Sequence, residues 1–336
     1  MSILDVFNTD IFSAVSLTQS MNVEPPKPMR IGQMGLFTTR PLTTRTAVLE
    51  RKDRTISILP TAEWGSSGTV GKTDKRVARP FSIPHTPHDD VVLASEIQGV
   101  RKFGTEDQLE TIQDTVLDKL DRMKAKHEVT HEYRRAAALT GYVYDADGAT
   151  KLVDLWTDFN LTRSSQDFVF GTSTSNIRGF CLAIKRVIER ALGNGGLIGH
   201  IHGLCSETFF NALIEHATVT TAYERYQAGE QLRNDPRPMF PYGGILWEEY
   251  SGSVGDRAFV TAGDANVFPV GVPELFLEAF APADNIDAAN SVALPYYAMQ
   301  EVMKMKKGID LHTESNELPL CSVPEVLVRA HSSTWA

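Results

Sequence analysis

The spacing of apolar positions changes several times along this chain, and those changes mark out its elements. Leu4, Phe7, Ile11 and Val15 recur at helical spacing, which predicts a short amphipathic helix over 3–15. Pro25-Pro26-Lys27-Pro28 then stops any helix. Residues 1–45 read as an arm, too polar and too interrupted by Pro and Gly to build a core of their own. Thr46-Ala47-Val48-Leu49 and Thr55-Ile56-Ser57-Ile58-Leu59 are rich in β-branched residues and flank the polar Arg51-Lys52-Asp53-Arg54, predicting a hairpin over 46–59. Trp64 to Gly71 follows as a glycine-rich tip, and Arg76 to Ile83 returns as an extended segment punctuated by Pro80 and Pro84. Residues 46–90 thus predict a long projecting loop with two extended limbs and little that could pack inward. Strand-like limbs with uncovered edges invite another chain to lie on them.

The clearest element is a helix over 106–139. Leu109, Ile112, Val116, Leu120 and Met123 share one face, with charged residues between them. Thr105-Glu106-Asp107 makes a good start and Gly141 ends it. Such a helix would be about 50 Å long, a spine for something extended. Its apolar stripe is interrupted at Lys124, Lys126 and His127, which suits one-sided packing on a sheet better than a coiled coil. Tyr142-Val143-Tyr144 and Lys151 to Leu155 flank Asp147-Gly148 as a second hairpin. Beyond about 176 the pattern is mixed. A helix runs from Ile177 to near Gly193, a short strand lies at Leu197 to Ile201, and a helix with a break near Thr218 covers Phe209 to Tyr226. Strands are predicted at Gly244 to Tyr250 and Arg257 to Thr261, and again after about 290, at Leu318 to Val323 and Val326 to Ala330.

At 336 residues the chain can hold one large domain or two intertwined ones, and 42% hydrophobic with 22% charged residues is ordinary globular usage. A formal net charge of -9 argues against a general nucleic-acid binder, which needs a basic face, but not against a container whose wall merely encloses nucleic acid. The charge is uneven. Residues 27–79 carry eleven basic and four acidic side chains, whereas 205–290 carry four basic and thirteen acidic. A basic arm and loop beside an acidic later region suits self-complementary subunits, in which exposed charges orient an encounter more than they stabilise it. Cys181, Cys205 and Cys321 are far apart and read as reduced thiols. No Lys or Arg precedes Lys27, and no apolar run approaches a membrane span, so synthesis and folding in the cytoplasm are expected.

Candidate chemistry is sparse. Ser66-Ser67-Gly68-Thr69-Val70-Gly71-Lys72-Thr73 approaches a phosphate-binding loop, but Ser66 replaces its first Gly and neither flank supplies the required strand and helix. It reads better as a loop tip whose Lys72, Lys75 and Arg76 meet acidic groups on a neighbour. His85-Thr86-Pro87-His88-Asp89-Asp90 could offer metal ligands but reads as a rigid turn. His200 and His202 point the same way on a probable strand edge, with no third ligand nearby except Cys205 or Glu207. Asp256, Asp264 and Glu274 read as solvated acids. No cofactor or metal is expected, and no enzyme.

The order of elements, on three stretches above all, resembles a known family. These are Thr43 to Val92, including Arg79-Pro80-Phe81-Ser82-Ile83-Pro84; Thr105 to Asp158; and Tyr296 to Ala330, including Pro319-Leu320-Cys321-Ser322-Val323-Pro324. The chain resembles the phage lambda-type major capsid proteins, the capsid E family, with a Hong Kong 97-like fold. That resemblance implies an α+β protein with a spine helix, a β-sheet peripheral domain, a mixed α/β axial domain and an extended E-loop. The implied division is an N-terminal arm at 1–45, the E-loop at 46–95, a peripheral domain at 96–170, an axial domain at 171–290 and return strands at 291–336. It further implies hexamers and pentamers of an icosahedral virion shell around double-stranded DNA, with scaffold, portal and decoration proteins as candidate partners and no membrane. Candidates for contact between subunits are Arg51, Lys52, Arg54, Trp64, Lys72, Lys75 and Arg76. Some relatives crosslink a loop Lys to a neighbour's Asn; Lys72 and Lys75 sit in the right region, but no crosslink is expected. An encapsulin-like compartment on the same fold, or a nucleotide- or metal-dependent enzyme, are the alternatives.

Overall fold

The computed structural model describes residues 13–23, 29–52, 76–97, 112–193, 199–224 and 237–335. Contacts divide the chain into two compact units, each discontinuous in sequence. One comprises Met1–Ala47, Phe81–Arg135 and Leu277–Pro319; the other comprises Val48–Pro80, Ala136–Phe276 and Leu320–Ala336.

The first unit is organised by the long helix, Ile112–Ala138, whose 27 residues span about 40 Å. Its predicted start at Thr105 lies outside the described residues. The helix packs on a three-stranded antiparallel sheet, in which Gly308–Glu314 pairs on one side with Tyr297–Val302 and on the other with Pro87–Leu93. Val116, Leu120 and Met123 enter one core with Val92, Ala298, Ile309 and Leu311 of the sheet. The expected one-sided packing is therefore what is found. The stretch read as a rigid turn from His85 to Asp90 instead enters strand Pro87–Leu93.

Leu17 and Met21 of the arm helix Ala14–Val23 join the same core, so part of the arm is buried there. Of the helix predicted over 3–15, only Ala14 and Val15 fall in this helix among the described residues. Ser13 is a bend whose Oγ accepts from the Ser16 N–H at 3.2 Å, an N-cap arrangement, and residues 1–12 lie outside the described set. A further sheet orders Phe37–Pro41, Phe276–Phe280 and Glu317–Cys321, the middle strand being Phe276–Phe280.

The second unit centres on a six-stranded mixed sheet. Its order is Ser164–Asp167, Val328–His331, Asp264–Val270, His200–Cys205, Ile245–Glu249 and Phe240–Tyr242. Strand His200–Cys205 pairs in parallel with Ile245–Glu249 and antiparallel with Asp264–Val270. It begins later and runs further than the predicted Leu197 to Ile201, and it is interior, so His200 and His202 do not lie on a sheet edge. Helix Ile177–Leu192 has the expected amphipathic pattern, burying Ile177, Cys181, Ile184, Ile188 and Leu192. The predicted break in the next helix falls at His216, between Glu207–Glu215 and Ala217–Glu224. The second hairpin forms as expected from Tyr142–Tyr144 and Lys151–Asp154. Gly141, at φ +82°, precedes it; a Cβ there would meet the Trp156 ring at 2.5 Å, so the residue needs both glycine's conformation and its size. The predicted strand Arg257 to Thr261 shrinks to Arg257–Ala258, which pairs with Ser253–Val254.

Candidate functional site

In a chain with so little chemistry, the functional features are surfaces and the framework that holds them. The first is the pair of strands Thr46–Lys52 and Arg76–Ser82. They pair with each other, so Thr46–Lys52 has the returning limb as a partner, while the Thr55 to Leu59 run of the predicted hairpin lies outside the described residues. Burial alternates with the pleat: Ala47 and Leu49 are buried and Val48 is 61% exposed. Ala78, Arg79 and Pro80 are exposed, whereas Phe81 and Ile83 are buried. At the base of the pair, the Ile83 N–H donates to the Arg45 carbonyl at 2.9 Å, and Arg45 pairs with Asp284. Among the described residues this is a two-stranded sheet, so each strand keeps an outer edge without a ladder partner.

Arg51 and Lys52 close the first strand and Arg76 opens the second. Arg54, Trp64, Lys72 and Lys75 lie outside the described residues, as does the string Ser66 to Thr73. The structure thus brings the backbones of Arg51, Lys52 and Arg76 to the far end of one strand pair.

The second feature was not read from the sequence. The stripe Val116, Leu120, Met123 does not end where the apolar residues end. It continues at the same spacing through His127, His131 and Arg134, which are as deeply buried as the apolar part. Each polar group is tied to a particular segment. His127 Nε2 lies 3.0 Å from Thr313 Oγ1, which itself donates to the His88 carbonyl at 3.1 Å. His131 Nε2 lies 2.7 Å from Ser315 Oγ, which donates to the Pro295 carbonyl at 2.6 Å. A hydroxyl has one proton to give, so both imidazoles donate from Nε2. Lys124 donates to the Met21 carbonyl at 2.7 Å, and the Glu132 carboxylate accepts from the Ile31 and Gly32 N–H groups at 2.6 and 3.0 Å. Arg135 makes a forked pair with Glu278 at 2.8 and 2.9 Å, and Arg134 lies 3.5 Å from Glu317.

Burial decides the titration of these groups. It holds His127 down at about 4, with the neighbouring His88 and Arg134 charges adding to the effect. His131 is likewise held well below the ordinary value, again by burial first. Burial pushes the fully enclosed Glu317 up to about 8, and Arg134 only partly offsets it. At the rim, Asp89 and Glu314 both bind His312 and, outweighing its burial, raise it. The spacing of Lys124, His127, His131 and Arg134 was the available signal for this network, hidden because a buried face was expected to be apolar.

The remaining candidates are engaged within the sheet or buried. His202 Nε2 lies 3.0 Å from Glu248 Oε2 beside Phe268 in the sheet interior. Asp264 is buried, not solvated as read, and accepts a forked pair from Arg329 at 2.7 and 2.8 Å. Cys181, Cys205 and Cys321 are free and buried, and burial pushes Cys181 and Cys321 up to about 12, which leaves them unreactive. Among the described residues no cluster of three or more His, Cys, Asp or Glu could hold a metal, and no helix is long and apolar enough to cross a membrane.

Known proteins give this framework its context. The model of the family described as phage major capsid protein E matches residues 13–332. The major capsid protein of Pseudomonas phage KPP10 is 28% identical over 342 residues, covering 96% of this chain and 97% of that one. Among solved structures, a protein ascribed to the capsid of an Escherichia coli CFT073 prophage superposes with a TM-score of 0.59 at 12% identity, covering 96% of this chain and 99% of that one. The mature capsid of bacteriophage PhiM1 gives 0.51 at 12% identity, covering 90% and 86%. The fold is Hong Kong 97-like, mixed α and β. The chain belongs to the phage major capsid protein E family, and the virion capsid is its place.

Proposed function

We propose that the chain assembles as hexamers and pentamers of an icosahedral head that encloses double-stranded DNA without reading its sequence. Assembly takes place in the host cytoplasm, with scaffold, portal and decoration proteins as partners. In this reading residues 46–95 are the E-loop lying across a neighbouring subunit, 171–290 the axial domain and 96–170 with 291–336 the peripheral domain. Arg51, Lys52, Arg54, Trp64, Lys72, Lys75 and Arg76 contact the neighbour, whose acidic 205–290 region complements them in charge. The observation that carries the reading is the two-stranded limb of Thr46–Lys52 and Arg76–Ser82, with its outer edges unpaired among the described residues. Heterologous contacts of that kind close into rings about symmetry axes.

Negative-stain electron microscopy with size-exclusion chromatography of the overexpressed protein tests it. Hollow shells, tubes or hexameric rings are expected. Deletion of residues 62–76 is expected to leave soluble subunits that do not close into shells, and normal particles from that deletion would remove the loop's assigned role. Boiled particles are expected to run as single chains on a denaturing gel; covalent ladders would contradict the absence of crosslinking.

A further inference from the structure

The hairpin that joins Tyr297–Val302 to Gly308–Glu314 ends in a tight, projecting tip. The Met303 N–H donates to the Gly308 carbonyl at 3.0 Å, and the Lys306 N–H donates to the Met303 carbonyl at 2.9 Å. Met305 and Lys306 both take left-handed backbone, at φ +62° and +58°, a conformation that costs residues with a side chain. The turn holds Met305 outward at 87% exposure, flanked by the exposed Lys304, Lys306 and Lys307. None of these three lysines belongs to an ion pair among the described residues, whereas Arg45, Lys119 and Lys151 each do. The tip is an apolar knob ringed by cations.

The same unit carries the inverse surface. Against the arm helix Ala14–Val23 lies a mostly apolar cavity of about 360 Å³, walled among the described residues by Val15 and Thr18 of the helix and by Ala288, Leu294 and Met299. That volume falls in the about 300–1,000 Å³ range of binding clefts. Asp287 stands in its wall, exposed and in no ion pair among the described residues. Two residues beyond Met299, on the same face of the strand, Glu301 is exposed and lies directly across the ladder from the exposed Asp310. Like charges so opposed destabilise a sheet unless cations come to them. The recess is therefore apolar within and anionic around.

We propose that the Met305 tip of one subunit seats in this cavity of a second copy, with its lysines beside Asp287 and Glu301. The contact rests on the reading of the chain as a shell subunit, and it names a second place where neighbours meet, apart from the loop limbs. A subunit's own tip cannot fill its own cavity. Met299 lies about 10 Å behind the last ladder pair, Val302 with Ile309, and the tip runs on in the other direction. Methionine's unbranched thioether suits an irregular apolar recess. Knob and recess are different patches of one surface, so the contact is heterologous and passes from copy to copy, as a ring or shell requires.

The test co-assembles two variants of the full chain, Met305→Cys and Leu294→Cys, scores the particles by electron microscopy and then adds a short bifunctional maleimide; the three native thiols are buried. Linked pairs of chains in the mixture, with little linkage in particles of either variant alone, are the expected result. Met305→Cys linked to itself would mean that tips meet tips, and particles without linkage would mean that the tip seats elsewhere. Either overturns the proposal and leaves the shell reading standing. Chains that form no particles under any condition count against the shell reading and, with it, the contact. Charge gives a second readout: Lys306→Glu in the tip copy is expected to lower the linkage about tenfold, and Asp287→Lys in the cavity copy to restore it. Linkage indifferent to both exchanges would overturn the assigned charge match.

Discussion

The two units bury their interiors in opposite ways. In the second, Phe209 sits among Phe168, Phe170 and Trp247, with ring centroids 5.3, 5.1 and 5.8 Å away, and that part of the core is aromatic. In the first, half of the long helix buries a polar face: His127, His131, Glu132 and Arg134 are all at or below 4% exposure. The aromatic core is held by area and shape, which tolerate no void but are indifferent to pH. The polar face is held by individually matched donors and acceptors, which locate particular segments on the helix and lose their value when one partner goes. A helix that serves as a spine gains from the second kind, because each bond specifies register along its length.

The sharpest test of this contrast is to break one contact in each core. Phe209→Ala is expected to destabilise the unassembled subunit by about 3–5 kcal/mol, by the same amount at pH 5 and pH 8, as read from urea midpoints. Arg135→Met is expected to cost a similar about 3–5 kcal/mol, because it strands the buried Glu278 carboxylate. Here the two cores should part company: adding Glu278→Leu to Arg135→Met is expected to recover most of that loss, whereas no second truncation rescues the aromatic cavity. A double variant as unstable as the single one would mean that the pair is held by the surrounding network and not by its own match.

Proton linkage gives a smaller effect, confined to the polar core. His127 ordinarily titrates at 6.5 and is held at about 4 when folded, so the unfolded chain binds the proton first. Its contribution therefore falls away as pH drops from about 6.5 to about 4, by about 3 kcal/mol at 1.36 kcal/mol per pK unit. Glu317 acts in the opposite sense: raised from 4.5 to about 8, it favours the folded state at low pH and costs stability as pH rises through that window. The clean readout is a difference. His127→Gln is expected to flatten the acid limb of the stability profile relative to the parent, and parallel limbs would contradict the assignment. The smallest effect belongs to the surface. Arg45 and Asp284 are paired but 68% and 60% exposed in their side chains, and Arg45→Ala is expected to change stability by less than about 1 kcal/mol.

How much was readable in advance follows from the same contrast. Helix Ile177–Leu192 and the hairpin at Tyr142 and Lys151 were legible because apolar period or turn residues alone define them. Strands Asp264–Val270 and His200–Cys205 were missed or misplaced, since interior strands of a mixed sheet show no alternation, and Asp264 looked like a solvated acid until Arg329 met it from 65 residues away. The two extended limbs of the loop were legible as strand-rich runs, but their pairing joins residues some 30 positions apart and has no local signature.

The amino-acid sequence by itself determined the local choices: the amphipathic pattern of helix Ile177–Leu192, which face of the early long helix is apolar, and the order of elements that marks the family. These depend on propensity, period and capping, which act over a few residues. Only the tertiary structure decided that the long helix's second half is buried through hydrogen bonds, that the two limbs pair with each other, and that two units interleave along the chain. Those outcomes rest on matching a donor to an acceptor, or an edge to an edge, across large separations in sequence. No single residue carries that information, because a buried polar group is favourable or ruinous only according to the partner that the fold brings to it.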